Sequence, residues 1–177
     1  MDLSRSRFSE WLAQPLLDTD LKEELLEMAD SPQKIEDAFG CELQFGTGGL
    51  RGAADVLNAA GLPRRAVIGY DSRIGSERFA RETACVLAAN GIETYLYPRL
   101  EPVPALSFAV RTLSCGAGIC ITASHNPAQY NGFKVYGPDG CQLTPGRAAQ
   151  IAEKLQSHSY FDGRKTESFA SLLAAGR

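Results

Sequence analysis

Between residues 118 and 136 the chain reads GICITASHNPAQYNGFKVY, an apolar run that gives way to Ser124, His125, Asn126, Asn131 and Lys134. Ser124 falls where the strand-like ICIT ends, so its hydroxyl can be exposed while its backbone is held by a sheet. That placement suits a nucleophile. The adjacent histidine does not make it a hydrolase, because neighbouring side chains on extended backbone point to opposite faces, and the sequence has no GxSxG elbow. A phosphorylated serine has different needs: cations and backbone donors around it rather than a base beside it. Asn126, Asn131, Lys134 and the loop amides could supply them. The same composition also describes an ordinary turn, since turns favour Asn and Pro, and residue types alone leave both readings open.

A second stretch, FGTGGLRG at residues 45–52, could act on the same chemistry. Its glycines let backbone approach a ligand closely, and Arg51 would offer a planar fork to phosphate. No Lys-Ser or Lys-Thr follows, so it is not a Walker A loop, and it is not a GxGxxG dinucleotide fingerprint leading into a clear helix. A structural glycine loop is the plain alternative. The five cysteines form no CxxC pair and are odd in number, which argues against a disulfide framework or zinc knuckle. Cys85 and Cys120 sit in apolar surroundings and read as small buried hydrophobes. With only His125 and His158, a histidine-rich metal centre is excluded.

These residues need a scaffold, and the flanking sequence describes one. AVIGYDS (66–72), ETYLYP, AGICITAS and FKVY read as strands, the first bounded by Pro63 and by the turn residues Asp71 and Ser72. Between them, SERFARETACVLAANG reads as a helix with Ser76 as N-cap, Gly91 as stop and Phe79, Thr83, Val86 and Leu87 facing inward. PALSFAVRTL reads as a second helix, opened by Pro102 and Pro104 and closing near Cys115 and Gly116. Thr144 and Pro145 begin a third. Strand and helix alternate, which predicts an α/β fold: a three-layer α/β/α domain with a mainly parallel, mixed sheet. In such sheets functional loops gather beyond the carboxyl ends of the strands, where TASHNP lies. Asp71, Ser72 and Arg73 leave the first strand there too, and an Asp-Arg pair at a turn can cap the next helix.

Residues 1–40 read as a separate helical extension. Asp20 can cap a helix with Glu23 in the capping-box position and Leu21, Leu25 and Met28 on one face, and Ser31-Pro32 starts another helix that Gly40 ends. The domain proper is then residues 41–177, and its tail, YFDGRKTESFASLLAAGR, reads as a run-out toward a linker. The composition is 44% hydrophobic and 22% charged, and the net charge of −3 gives no electrostatic case for nucleic acid. No apolar run is long enough to span a bilayer and no signal-peptide core opens the chain, so a cytoplasmic protein without a membrane partner is expected.

TASHNP followed by YNGFKV resembles the phosphoserine loop of the α-D-phosphohexomutases, the phosphoglucomutase and phosphomannomutase superfamily. FGTGGLRG resembles the GTxGxRG segment with which its members open. The likeness runs on through VIGYDSR, VLAANGI, LSFAVR and KVYGPDGCQLTP, across most of residues 42–146. In spelling it is nearest the subgroup of phosphoglucomutases that includes phosphopentomutases and glucose-1,6-bisphosphate synthases. The resemblance implies an isomerase that moves phosphate between the 1 and 6 positions of a hexose, or 1 and 5 of a pentose, through a bisphosphorylated sugar. It implies that Ser124 carries the phosphoryl group and binds Mg²⁺ through its phosphate oxygen. Arg51 then stabilises the transferring group and Lys134 serves in proton transfer or phosphate contact. His125 and Asn126 orient the phosphoserine and substrate, or His125 simply hydrogen-bonds the loop. Thr47, Gly48, Asn126 and Asn131 would bind substrate or phosphate, with glucose 1,6-bisphosphate as activator.

The pattern also breaks. No DxDxD spacing occurs, so the family's DxDGDR metal loop has no match, nor do its sugar-specificity and C-terminal phosphate loops. A Mg²⁺ ion held by one phosphoserine oxygen and water would bind weakly. The stretch AADVLNAAGLPRR between Gly52 and Ala66 is shorter than its family counterpart, which implies a partly uncovered sheet face. The expected protein is therefore a catalytic-serine domain, inactive alone, whose remaining domains come from a downstream segment or a separate chain. The competing expectation is a non-catalytic module that binds sugar phosphate or assembles with a partner.

Overall fold

Ala66, Val67, Ile68 and Tyr70 are all buried, a burial pattern that a strand adopts only when both faces of its sheet are covered. In the computed structural model, which describes residues 3–15, 17, 19–40, 61–128, 130–149 and 168–176, this strand is central. The chain divides into two compact units, Met1–Gln44 and Phe45–Arg177. The described elements of the second are β1 (Arg65–Tyr70), α4 (Ser76–Ala89), β2 (Glu93–Leu96), α5 (Val103–Thr112), β3 (Ala117–Ile121), β4 (Phe133–Tyr136) and α6 (Phe169–Ala174). The sheet order is β2-β1-β3-β4. The first three strands are parallel and β4 runs antiparallel to β3, as a short loop back from β3 requires.

Alternation along the strands sends side chains to two cores. Ala66, Ile68, Tyr70, Ala117, Ile119 and Ile121 pack with Ala80, Ala84 and Leu87 of α4. Val67, Cys120 and Tyr136 pack with Leu106 and Val110 of α5 on the other face. The result is the expected three-layer α/β/α arrangement with a mixed sheet. Gly118 sets how closely α5 can sit: a Cβ there would lie 2.5 Å from Val110 Cγ2 and 3.3 Å from Tyr136 Cβ.

Several local expectations need correction. Ser76 is not the N-cap of α4; that position is Gly75, in a left-handed conformation and without a side-chain cap bond. The Ser76 hydroxyl instead donates to Asp71 Oδ1 at 2.8 Å, because a carboxylate across the turn is the stronger acceptor. Phe79 does not face inward but is 41% exposed. It leans toward Gly75 and stands under the Arg78 guanidinium, while the small Ala80 and Ala84 fill the close helix-sheet contact. α5 stops at Thr112, with Leu113 as C-cap. The tail is more than a run-out: α6 buries Leu172 against Cys85 and Ala88 of α4. The shortened stretch after Gly52 falls mostly on residues 41–60, outside the described residues.

The N-terminal unit holds α1 (Leu3–Leu12), α2 (Thr19–Met28) and α3 (Pro32–Phe39). Phe8, Leu25 and Ile35, one from each helix, are buried together with Trp11, Met28 and Phe39 around them. Ser31 caps α3, accepting from the Lys34 backbone N–H, and Gly40 ends it. α2 begins at Thr19, which puts Asp20 inside the first turn rather than at the cap.

Gly118→Ala should overpack the α5 face and cost about 1–3 kcal/mol. Urea unfolding of the variant against wild type measures this, with a shifted midpoint and an unchanged slope as the expected outcome.

Candidate active site

β3 delivers the loop of residues 122–132. The Thr122 N–H donates to the Gly132 carbonyl at 2.9 Å, so the two ends close on each other. A Cβ on Gly132 would lie 2.6 Å from the Thr122 carbonyl oxygen, which is why this position requires glycine. Within the loop Ser124 is exposed and has φ of 60°. Among the described residues, Ser114 with φ of 51° is the other non-glycine in this region. Ser114 follows the end of α5, where left-handed backbone is an ordinary terminator. Ser124 ends no helix, so something else must hold it.

That something is Arg73. Its Nη1 donates to the carbonyls of Asn126 (2.6 Å), Pro127 (2.8 Å) and Tyr130 (3.2 Å), and its Nη2 to the carbonyl of Ser124 (2.5 Å). The Arg73 side chain is 11% exposed, and its Nε pairs with Asp71 Oδ2 at 3.0 Å. Asp71 Oδ1 also accepts from the Arg73 backbone N–H at 3.0 Å. Left-handed backbone at a non-glycine residue costs roughly 1–2 kcal/mol. One hydrogen bond to a charged group contributes about 1.5–3 kcal/mol net, so the clamp outweighs the strain at Ser124.

Asp71 is held ionised beneath this arrangement. Burial pushes its carboxyl up, but hydrogen bonds from the Thr122 side chain, the Arg73 backbone and Ser76, with the Arg73 charge, outweigh that and keep it below its ordinary 3.8. The Thr122 hydroxyl also accepts from the Ser124 N–H at 3.0 Å, so one polar network joins the end of β1 to the serine.

Asn131 is likewise engaged within the loop. Its Nδ2 donates to Ser76 Oγ at 2.8 Å and to the Ile74 carbonyl at 3.2 Å, and its Oδ1 accepts from the Gly132 N–H. The His125 and Asn126 side chains are exposed and make no hydrogen bond to a described residue. Lys134 is half-buried on β4, opposite Cys120 in the register, and no hydrogen bond joins it to Ser124 among the described residues. Burial and then Asp71 push the Cys120 thiol up to about 11, with Lys134 pulling the other way, so this cysteine is an inert core residue. Arg51, Thr47 and Gly48 lie outside the described residues.

Arg73 holds the loop through contacts that sequence pattern does not reveal. It was legible as half of an Asp-Arg turn pair, but its reach to residues more than fifty positions away was not. A hollow of about 330 Å³ between α4, β2 and α6, lined by Tyr70, Arg81, Tyr97 and Phe169 among others, includes no described residue of the loop and is separate from this site. No cluster of His, Cys, Asp and Glu that could hold a metal occurs among the described residues. Asp71, the carboxylate of this network, is already committed to Arg73 and Ser76.

Fold and site together define an α/β/α domain that presents a conformationally restrained serine at the carboxyl edge of its sheet. The sequence model of the phosphoglucomutase/phosphomannomutase family, alpha/beta/alpha domain I, matches residues 50–161, and the chain belongs to that family. The matched span includes Arg51, Ser124 and Lys134. A phosphoglucomutase of Staphylococcus haemolyticus (strain JCSC1435) is 40% identical over 142 residues, covering 69% of this chain and 26% of the relative. A Schizosaccharomyces pombe protein named probable phosphoribomutase is 47% identical over 92 residues, covering 52% of this chain and 16% of the relative. A crystal structure from Thermus thermophilus, solved under the name phosphomannomutase, superposes with a TM-score of 0.59 at 33% identity, over 61% of this chain and 24% of that one. The chain spans about a quarter of the length of the staphylococcal relatives it matches.

Two outcomes test the site's physics. Ser124→Gly relieves left-handed strain, so it should leave stability unchanged or raise it by up to about 1 kcal/mol, whereas the β-branched Ser124→Val should lower it by about 1–2 kcal/mol; denaturant melts compare them. For Asp71 the folded carboxyl lies below its unfolded value of 3.8. Its stabilisation is therefore full above that pH and is lost as pH falls through the folded value. Wild type should lose stability more steeply below that pH than Asp71→Asn does, as thermal melts across acid pH would record.

Proposed function

We propose that the chain is the catalytic-serine domain of a phosphosugar mutase, carrying phosphate between C1 and C6 of a hexose, or C1 and C5 of a pentose. The observation that carries this reading is Ser124 itself, exposed yet held with φ of 60° at the end of β3, within the span matched to the family. Such strain at a ligand-facing residue persists where the surroundings over-determine it.

In the loading step the Ser124 hydroxyl attacks a phosphorus of glucose 1,6-bisphosphate. The bond from that phosphorus to the sugar oxygen breaks, phosphoserine forms and a glucose monophosphate leaves. The serine proton passes to a base, a role assigned to Lys134 or His125, and Arg51 balances charge on the transferring group. Thr47, Gly48 and Asn126 contact phosphate or sugar, while Asn131 shapes the loop through Ser76 and the Ile74 carbonyl. The family's Mg²⁺ supplies further charge balance when bound to the phosphoserine oxygen. Among the described residues no group of carboxylates stands ready to hold it.

The remaining walls of the site come, in this reading, from a further segment or a separate chain. The reading places the chain in the cytoplasm; no helix among the described residues is long and apolar enough to cross a membrane. A second reading, a non-catalytic module that binds sugar phosphate or assembles with a partner, draws on the lack of DxDxD spacing in this sequence.

Incubation of the chain with glucose 1,6-bisphosphate and Mg²⁺, followed by mass-spectrometric mapping, separates the two. The mutase reading expects one added phosphoryl group on Ser124 and none on Ser124→Ala. Equal labelling of both, or labelling of neither, rejects it for this chain, and saturable binding of the bisphosphate without labelling favours the binding module.

A further inference from the structure

The carbonyls of Ser124, Asn126, Pro127 and Tyr130 all turn toward one guanidinium. No peptide bond among the described residues is cis, and in a trans peptide the N–H points opposite to its carbonyl. Drawing the Ser124 and Pro127 carbonyls onto Arg73 therefore turns the N–H groups of His125 and Ala128 away from it. Neither donates to a described residue, whereas Asn126 and Tyr130 close turns onto Ala123 and Pro127 at 3.2 and 3.0 Å.

We propose that Arg73, aimed by Asp71, is a positioning residue for phosphoryl transfer. It fixes Ser124 in its left-handed conformation and turns the amide that follows the serine toward the outer side of the loop, where it can meet the anionic group the serine carries. The inference rests on the mutase reading for its chemistry, but its geometry stands apart from it. Arg73 touches no reacting atom and acts through the loop. An arginine is required because one planar group must reach Asp71 from Nε and four carbonyls from its two ends. A lysine ammonium has three donors at a single point and cannot span them. Asp71 meanwhile ties the same arginine to Ser76 and so to the start of α4, which fixes the clamp to the rigid part of the domain.

The test is Arg73→Lys in the full chain, read three ways: the Ser124 Cα and Cβ chemical shifts, hydrogen exchange of the 122–132 loop, and the rate of phosphoryl uptake from glucose 1,6-bisphosphate. The lysine variant should keep the exchange protection of β1 and β3 while the Ser124 shifts leave left-handed values and the loop exchanges at least about tenfold faster. Uptake should slow by about 10–100-fold while the half-saturating bisphosphate concentration changes little, the mark of misplacement rather than lost binding. Wild-type shifts and loop exchange, or a wild-type uptake rate despite altered shifts, overturn the proposal. If wild-type protein takes up no phosphate, the mutase reading fails for this chain, and unchanged Ser124 shifts in the variant would separately overturn the clamp. Should Arg73→Lys not fold, the same shifts and rates are read in Asp71→Asn, which removes the charge that aims the arginine; values equal to wild type there also overturn it.

Discussion

One cation under one loop organises this domain's chemical edge. Arg73 is nearly buried, and its charge is met by Asp71 on one side and by loop carbonyls on the other. Taking a guanidinium out of water is costly unless its donors find partners, so the arginine and the loop specify each other. The loop supplies acceptors that would otherwise scatter toward solvent, and the arginine holds the backbone in a form that Ser124 would not adopt alone. Asp71, Thr122 and Ser76 extend the network to the ends of β1 and β3 and the start of α4.

The sheet makes that network possible. β1 and β3 lie side by side in parallel, with Tyr70 paired to Ile121, so the residues following each strand emerge at the same edge. Asp71 and Thr122 therefore leave neighbouring strands together. The tight seat of α5 on Gly118 and the small residues of α4 hold the two covering layers against the sheet. In a close-packed interior of this kind the loop's anchor points cannot drift independently. A positioned serine on a loop is then a property of the whole layer arrangement, even though the loop itself is exposed.

Membership of the phosphoglucomutase/phosphomannomutase family gives this edge its context, and the chain's extent limits it. The described residues form one wall: a serine, a clamp, a half-buried lysine on β4 and two exposed side chains, His125 and Asn126. No group of His, Cys, Asp and Glu side chains that could hold a metal ion occurs among the described residues, and Asp71 serves the clamp. In the mutase we propose, sugar selection and the balance of charge in transfer require groups beyond these. The N-terminal unit has its own core around Phe8, Leu25 and Ile35.

The sequence by itself determined the layers and named the loop. Apolar strands alternating with amphipathic helices dictated an α/β/α domain, because strands apolar on both faces need helices on either side, and TASHNP with YNGFKV carried the family likeness. It also marked Ser124 as the residue at a strand end. Local patterning failed where a side chain chose a distant partner over a near one. Ser76 left its capping role for the Asp71 carboxylate, Phe79 gave way to alanines where α4 meets the sheet, and α6 folded back onto α4 rather than trailing away. Asn131, readable as a phosphate donor, braces the loop to Ser76. Above all, Arg73 reads in the sequence as one member of a turn, because its partners lie beyond another strand and helix. Only the tertiary structure, by placing the ends of β1 and β3 together, decided that its guanidinium donors would close on the loop and hold the serine in place.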